Sequence, residues 1–158
     1  MYNKSSNSLS FRRAFGAEIY EKPYLLKTLL SSRQEKLITK KSKEYNLSFE
    51  PEFNKFMVKL VSFDSLSENV FLDYGVERET NELVAMSLNF IKDKNIICYL
   101  RFHIPSSNAI SYGLILDYWS NRKNFREGVE TIDLTRGSES YKYRLGSVEY
   151  RLKNFVIL

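Results

Sequence analysis

Three apolar, strand-like runs, Val70–Glu77, Leu83–Ile91 and Ile96–Ile104, follow one another with only short polar links between them. Links of this length favour antiparallel pairing and leave no room for a helical crossover. Upstream the period changes. From Tyr24 to Tyr45, Leu26, Leu29, Leu30, Leu37 and Ile38 recur at helical spacing among Lys, Arg and Glu, which predicts an amphipathic helix that Asn46 ends. Leu47–Phe49 reads as a brief strand. Pro51 suits the first turn of a second helix, whose Phe53, Phe56, Met57, Leu60 and Val61 share one face. That stripe is core.

The ends are less patterned. Met1–Ser10 is rich in Ser and Asn, Phe11–Tyr20 shows no clear period, and Pro23 marks a break. Residues 1–23 are therefore expected to be a poorly ordered segment, and 24–158 the folded domain. After Pro105 and a loop, Ser111 is placed to cap a helix with Leu114, Ile115, Tyr118 and Trp119 on its apolar face and Gly128 beyond its end. Val129–Thr135 follows as a strand. Strand, helix, strand in this order predicts a crossover joining neighbouring parallel strands. Ser147–Leu158 alternates enough to read as a closing strand.

At 158 residues and 43% hydrophobic content the chain can bury one sizeable core. No apolar run is long enough to span a bilayer and the start is not signal-like, so a cytoplasmic protein is expected. Cys98, the single cysteine, fits a reducing compartment and a buried strand position. One His and one Cys provide no zinc ligand set, and no metal is expected. His103, at the end of a strand, reads as a polar strand terminus or as a general base. The net charge of +5 is uneven: residues 1–45 hold ten Lys and Arg against four Asp and Glu. A basic helix of this kind is either a solvated face or an attraction for phosphate-bearing partners.

The densest chemistry lies in Asp133–Gly146, DLTRGSESYKYRLG, where Gly137 would end a buried strand. Sheet ends are where mixed α/β folds place their sites. This stretch resembles the Asp, Arg-Gly, Glu, Tyr-Lys signature of the CelD-like acetyltransferases, relatives of the FemAB aminoacyl transferases in the GNAT superfamily. Asp133, Arg136, Gly137, Glu139, Tyr141, Lys142 and Tyr143 hold the matching positions. The segment ISYGLIL resembles the opening of that family's central helix, through Ser111 and Gly113, and the basic helix before Phe49 is similar to the family's own.

The resemblance implies an α/β (α+β) fold: a GNAT-like, mostly antiparallel twisted sheet with flanking helices. Phe49 and Pro51 nearly adjoin where the family usually has another helical segment, which makes the domain a shortened one. It further implies acyl transfer from acetyl-CoA or another acyl-CoA to an amine or hydroxyl, on a saccharide or a cell-envelope precursor. An aminoacyl-tRNA donor, as in the FemAB branch, also suits the basic helix.

The residues divide by task. Asn108, Ser111, Tyr112 and Gly113, at a helix N-terminus, are the candidates to hold the cofactor pyrophosphate. Asp133, Glu139 and Tyr141 are candidates for proton transfer, with Tyr141 also able to protonate the departing thiolate. Lys142 offers a cation for a carbonyl oxygen or a carboxylate. Asp133 reads equally as the structural partner of Arg136. The strands at Ile96–Ile104 and Val129–Thr135 are expected to splay and admit the pantetheine. The alternative is a catalytically degenerate GNAT-fold module that uses its basic helix to bind nucleic acid or a protein partner.

Overall fold

The computed structural model describes residues 8–39, 50–63, 68–105, 111–135, 137 and 139–150. Five strands form one sheet in the order β1-β2-β3-β4-β5, comprising β1 (Leu9–Phe15), β2 (Val70–Glu77), β3 (Leu83–Lys92), β4 (Asn95–His103) and β5 (Thr131–Asp133). β1 to β4 pair antiparallel and β5 joins β4 in parallel. Three helices precede β2: α1 (Gly16–Glu21), α2 (Pro23–Thr39) and α3 (Glu50–Val61). The crossover helix α4 (Tyr112–Arg126) links β4 to β5, and the short α5 (Ser140–Arg144) follows β5. This is the mixed, mostly antiparallel sheet with flanking helices that the sequence predicts. No helix among the described residues is long and apolar enough to cross a membrane.

Both faces of the sheet are covered. On one, Ile19, Leu25, Leu26, Leu29, Met57 and Val61 from α1–α3 pack with Leu72, Tyr74, Met86 and Leu88. On the other lie Phe71, Ile96, Cys98 and Val129 in one cluster and Leu9, Val84 and Ile115 in a second. A fully buried Leu or Ile contributes about 1.5–3 kcal/mol. Two-sided burial explains why β2, VFLDYGVE, is nearly continuously apolar rather than alternating.

The first 23 residues differ from expectation. Residues 1–7 lie outside the described residues, but Leu9–Phe15 is a strand registered against Glu77–Phe71, and Gly16–Glu21 is helical. Arg12 and Arg13 break the apolar period of β1, which hid it. Arg13 nevertheless points inward, because Asp73 of β2 provides a buried partner. Pro23 begins α2 rather than separating it from a loose segment, as its missing N–H permits. Residues 40–49, including the end of the expected basic helix and the brief strand at Leu47–Phe49, lie outside the described residues. So does 151–158; residues 147–150, the start of the expected closing strand, are not a strand.

α4 buries a different face from the one its apolar residues suggest. Tyr118 and Phe125 are exposed, whereas Asp117, Ser120 and Asn124 are buried with Ile115 and Leu116. The sheet beneath carries charge, and these polar residues answer it. Ser120 donates to Asp73 Oδ2, Asn124 Oδ1 accepts from Arg13, and Asp117 pairs with Arg101. Trp119 stacks on Phe11 with ring centroids 5.4 Å apart, fixing the helix over β1.

Candidate active site

β5 stays beside β4 only from Asn95 to Ile97, paired with Thr131–Asp133, while β4 runs on to His103 without it. The two strands part there. The opening is a cavity of about 580 Å³ walled by Arg101, Phe102 and His103 of β4, by Ser111, Gly113, Leu114, Asp117 and Tyr118 around α4, and by Tyr141 and Arg144 of α5.

A bulge in β4 aims its side chains. Leu88 faces Leu100 and Asn89 faces Cys98, so Tyr99 is an extra residue on β4. Before it, Ile96 and Cys98 belong to the core on the α4 side. After it, Leu100 and Phe102 pack into the core on the opposite, α2 side. The inserted residue thus reverses the alternation and brings Arg101 and His103 to α4.

Arg101 is the hub of the site. Its Nη1 donates to the Tyr141 hydroxyl at 2.6 Å and lies 3.1 Å from Asp117 Oδ2, and its guanidinium sits 5.1 Å from the Tyr141 ring centroid. Burial pushes the Asp117 carboxyl up to about 6, although Arg101 draws it down and Asp73 adds to the rise. Burial pulls the Arg101 guanidinium down, but Asp117, Cys98 and Tyr141 together outweigh it and the net shift is upward. Burial likewise raises the Tyr141 phenol and the Cys98 thiol, each partly offset by Arg101.

At the other end of the cavity, Ser111 is the N-cap of α4, and the first helical bond comes from Ile115 N–H to Ser111 O. The N–H groups of Tyr112, Gly113 and Leu114 therefore have no acceptor within the helix. The side of Gly113 where a Cβ would stand is taken by the His103 ring, with Nδ1 3.1 Å from that position. Tyr112 is half-buried and packs against the cluster of Leu9, Val84 and Ile115. Asn108 lies outside the described residues.

Of the residues singled out for catalysis, Tyr141 lines the cavity. Asp133, Glu139 and Lys142 are gathered in the turn between β5 and α5. Asp133 Oδ1 accepts from the Thr135 N–H at 2.7 Å, and Oδ2 accepts from the Tyr150 hydroxyl at 2.7 Å. Lys142 is buried; its Nζ donates to the carbonyls of Thr135 and Gly137, each at 3.1 Å, and pairs with Glu139 at 3.0 Å. Glu139 is exposed at the N-cap of α5. Arg136 lies outside the described residues.

Arg101 and Asp117 were missed from sequence. The available signal was a charge inside each of two apolar runs, IICYLRFHI and LILDYW. In β4 the bulge conceals which face that charge takes.

A model of the acetyltransferase (GNAT) domain family matches residues 28–143, most of the chain. No curated protein sequence matches it. Among solved structures, the chain is similar to an aminoglycoside acetyltransferase, meta-AAC0020, from an uncultured soil metagenomic sample, in complex with sisomicin. That match has 14% identity and a TM-score of 0.56 over 98% of this chain and 99% of the other. It is also similar to a predicted acetyltransferase with acetyl-CoA from Clostridium acetobutylicum, at 16% identity and a TM-score of 0.59 over 94% and 96%. A third is the PaiA N-acetyltransferase of Thermoplasma acidophilum in complex with coenzyme A, at 14% identity and a TM-score of 0.52 over 77% and 75%. At such identities the structures speak for the fold, whereas the family match spans β2 to β5 and the cavity lining from Met86 to Tyr141. The chain belongs to the acetyltransferase (GNAT) domain family.

Proposed function

We propose that this protein transfers an acyl group from acetyl-CoA or another acyl-CoA to an amine or hydroxyl acceptor, and that it is a CelD-like, FemAB-related member of its family acting in the cytoplasm. The observation that carries this reading is the parting of β4 from β5, which opens one cavity between the N-terminus of α4 and the phenol of Tyr141.

Each requirement of the reaction has residues to meet it. The N–H groups of Tyr112, Gly113 and Leu114 suit a pyrophosphate, together with the cap Ser111 and, in our reading, Asn108. The bulge at Tyr99 leaves backbone groups of β4 outside the ladder, suited to a developing oxyanion. Tyr141 suits the leaving thiolate as proton donor. Proton removal from the acceptor is assigned to Asp133 or Glu139 through water, with Lys142 orienting both through the turn it holds.

An amine-bearing saccharide is the acceptor class we favour. The meta-AAC0020 structure holds sisomicin, and on this chain a second, open hollow beside Phe102 is lined by Lys27, Ser31, Ser32 and Glu35 of α2. Phe102 lines both hollows, so an acceptor on the α2 side would approach the cavity past it.

Calorimetric titration with acetyl-CoA tests the reading. Binding at micromolar to submillimolar ligand is expected, followed by an acetylated product with sisomicin or a related amino sugar, detected by mass spectrometry. A folded protein with no affinity at millimolar acetyl-CoA would overturn it.

A further inference from the structure

We propose that Arg101, braced by Asp117, is a positioning residue that holds the Tyr141 phenol with its proton turned into the cavity. The proposal rests on the acyl-transfer reading above and names how its proton donor is set.

Tyr141 belongs to a helix of five residues, too short to fix a side chain by itself. What reaches across to it is Arg101, rooted in β4 opposite Ser87. An arginine has only donors. The Tyr141 oxygen must therefore be the acceptor of the 2.6 Å bond, and its own O–H is directed elsewhere. Asp117, in the middle of α4, holds the same nitrogen from the other side, and its side chain is only 8% exposed. β4, the crossover helix α4 and α5 are thus joined through one guanidinium in the wall of the cavity.

The arrangement fits a defined step. The acceptor nitrogen forms a bond to the acyl carbon, the carbon–sulfur bond breaks, and the sulfur takes the Tyr141 proton and leaves as free thiol. The phenolate left behind faces the Arg101 cation until solvent returns a proton, while the proton lost by the acceptor departs through water. The charged and titratable groups around the phenol are Arg101 and Cys98 from β4, Asp117 from α4 and Glu139 ahead of α5. Among these, Arg101 alone favours the phenolate.

The experiment follows the phenol itself. In protein labelled with ¹³Cζ-tyrosine, the Tyr141 resonance is identified by its loss in Tyr141→Phe and titrated. Arg101→Met is expected to move its titration to higher pH by about one unit, and Arg101→Lys to restore part of the shift. Asp117→Asn, which keeps the cation and removes an opposing carboxylate, is expected to move it to lower pH and provides a second reading should Arg101→Met fail to fold. In acetyl-CoA turnover with an amino-sugar acceptor, Arg101→Met should lower kcat about 10- to 100-fold, within the range of a general-acid contribution. KM for acetyl-CoA should change less than about twofold, and adding Tyr141→Phe to Arg101→Met should cost little more. A titration unmoved by Arg101→Met and Asp117→Asn alike, or losses in the two variants that multiply independently, would overturn the proposal. Shifts in titration with no turnover by the unaltered protein would overturn the acyl-transfer reading and support the arginine–phenol coupling.

Discussion

Arg13 and Asp73 meet at two points, Nε on Oδ1 at 2.7 Å and Nη2 on Oδ2 at 2.9 Å, with Asp73 fully buried. This fork joins the edge strand β1 to β2 and continues through Ser120 and Asn124 into α4. Removing one partner of a buried pair leaves an uncompensated charge, which typically costs about 3–5 kcal/mol. Asp73→Ala is expected to lower stability by that amount, and Arg13→Met to act in the same direction. Urea unfolding of Arg13→Met/Asp73→Leu should show a loss smaller than the sum of the single losses, because the double variant buries no orphan charge.

Asp117 gives the fold a pH dependence whose sign is fixed by its environment. Its carboxyl is raised from an ordinary 3.8 to about 6, so between these values the folded protein binds the proton more tightly than the unfolded chain. Stability therefore falls as pH rises from about 4 to about 6 and levels off above, by about 3 kcal/mol for this group taken alone. Chemical denaturation of the unaltered protein and Asp117→Asn across that window checks it: the variant should lack this component of the slope.

Lys142 and Glu139 form one ion pair with unequal consequences. The lysine is buried and holds two backbone carbonyls, whereas the glutamate side chain is 57% exposed. Lys142→Met would leave both carbonyls short of a donor and is expected to lower stability by about 2 kcal/mol or more. Glu139→Gln is expected to change it by less than about 1 kcal/mol. Thermal unfolding of the two variants side by side measures the difference.

Two glycines in the site region should respond differently to a methyl group. Gly137 has φ of +105°, and a Cβ there would land on the Glu139 carboxylate. Gly137→Ala is expected to cost about 1–2 kcal/mol from backbone conformation alone. Gly113 carries no such strain, and its neighbour is the exposed ring of His103. Gly113→Ala should leave stability within about 1 kcal/mol while displacing the imidazole. Because the chain has one histidine, proton NMR of that ring reports the displacement without further assignment.

The sheet was legible wherever burial alone shaped the chain. Val70–Glu77 matches β2 residue for residue, and β3 and β4 depart by only one residue at some ends. The crossover helix and its parallel partner strand followed from Ser111, Gly128 and the apolar run between Val129 and Thr135. Legibility failed where a charge was buried against another charge distant in sequence. Arg13 obscured β1 because its partner lies sixty residues away, and Asp117 and Arg101 are single charges inside apolar runs whose mutual pairing no local pattern shows. Tyr141 stood out through its motif. The hydrogen bond that orients it has no local signature.

The extra residue at Tyr99 divides β4 into two halves with independent phase. The half ending at Cys98 keeps step with β5, and the half beginning at Leu100 keeps step with the cavity. A substitution in one half can be judged by its own face without reference to the other, and Cys98 and Leu100, which oppose the consecutive residues Asn89 and Leu88, already have the relative phase of neighbours in a regular strand. Loss of Tyr99 alone would therefore return the strand to plain alternation, with Arg101 and His103 still toward α4 and Leu100 and Phe102 still toward α2, erasing the bulge and its unladdered backbone while leaving both walls as they are.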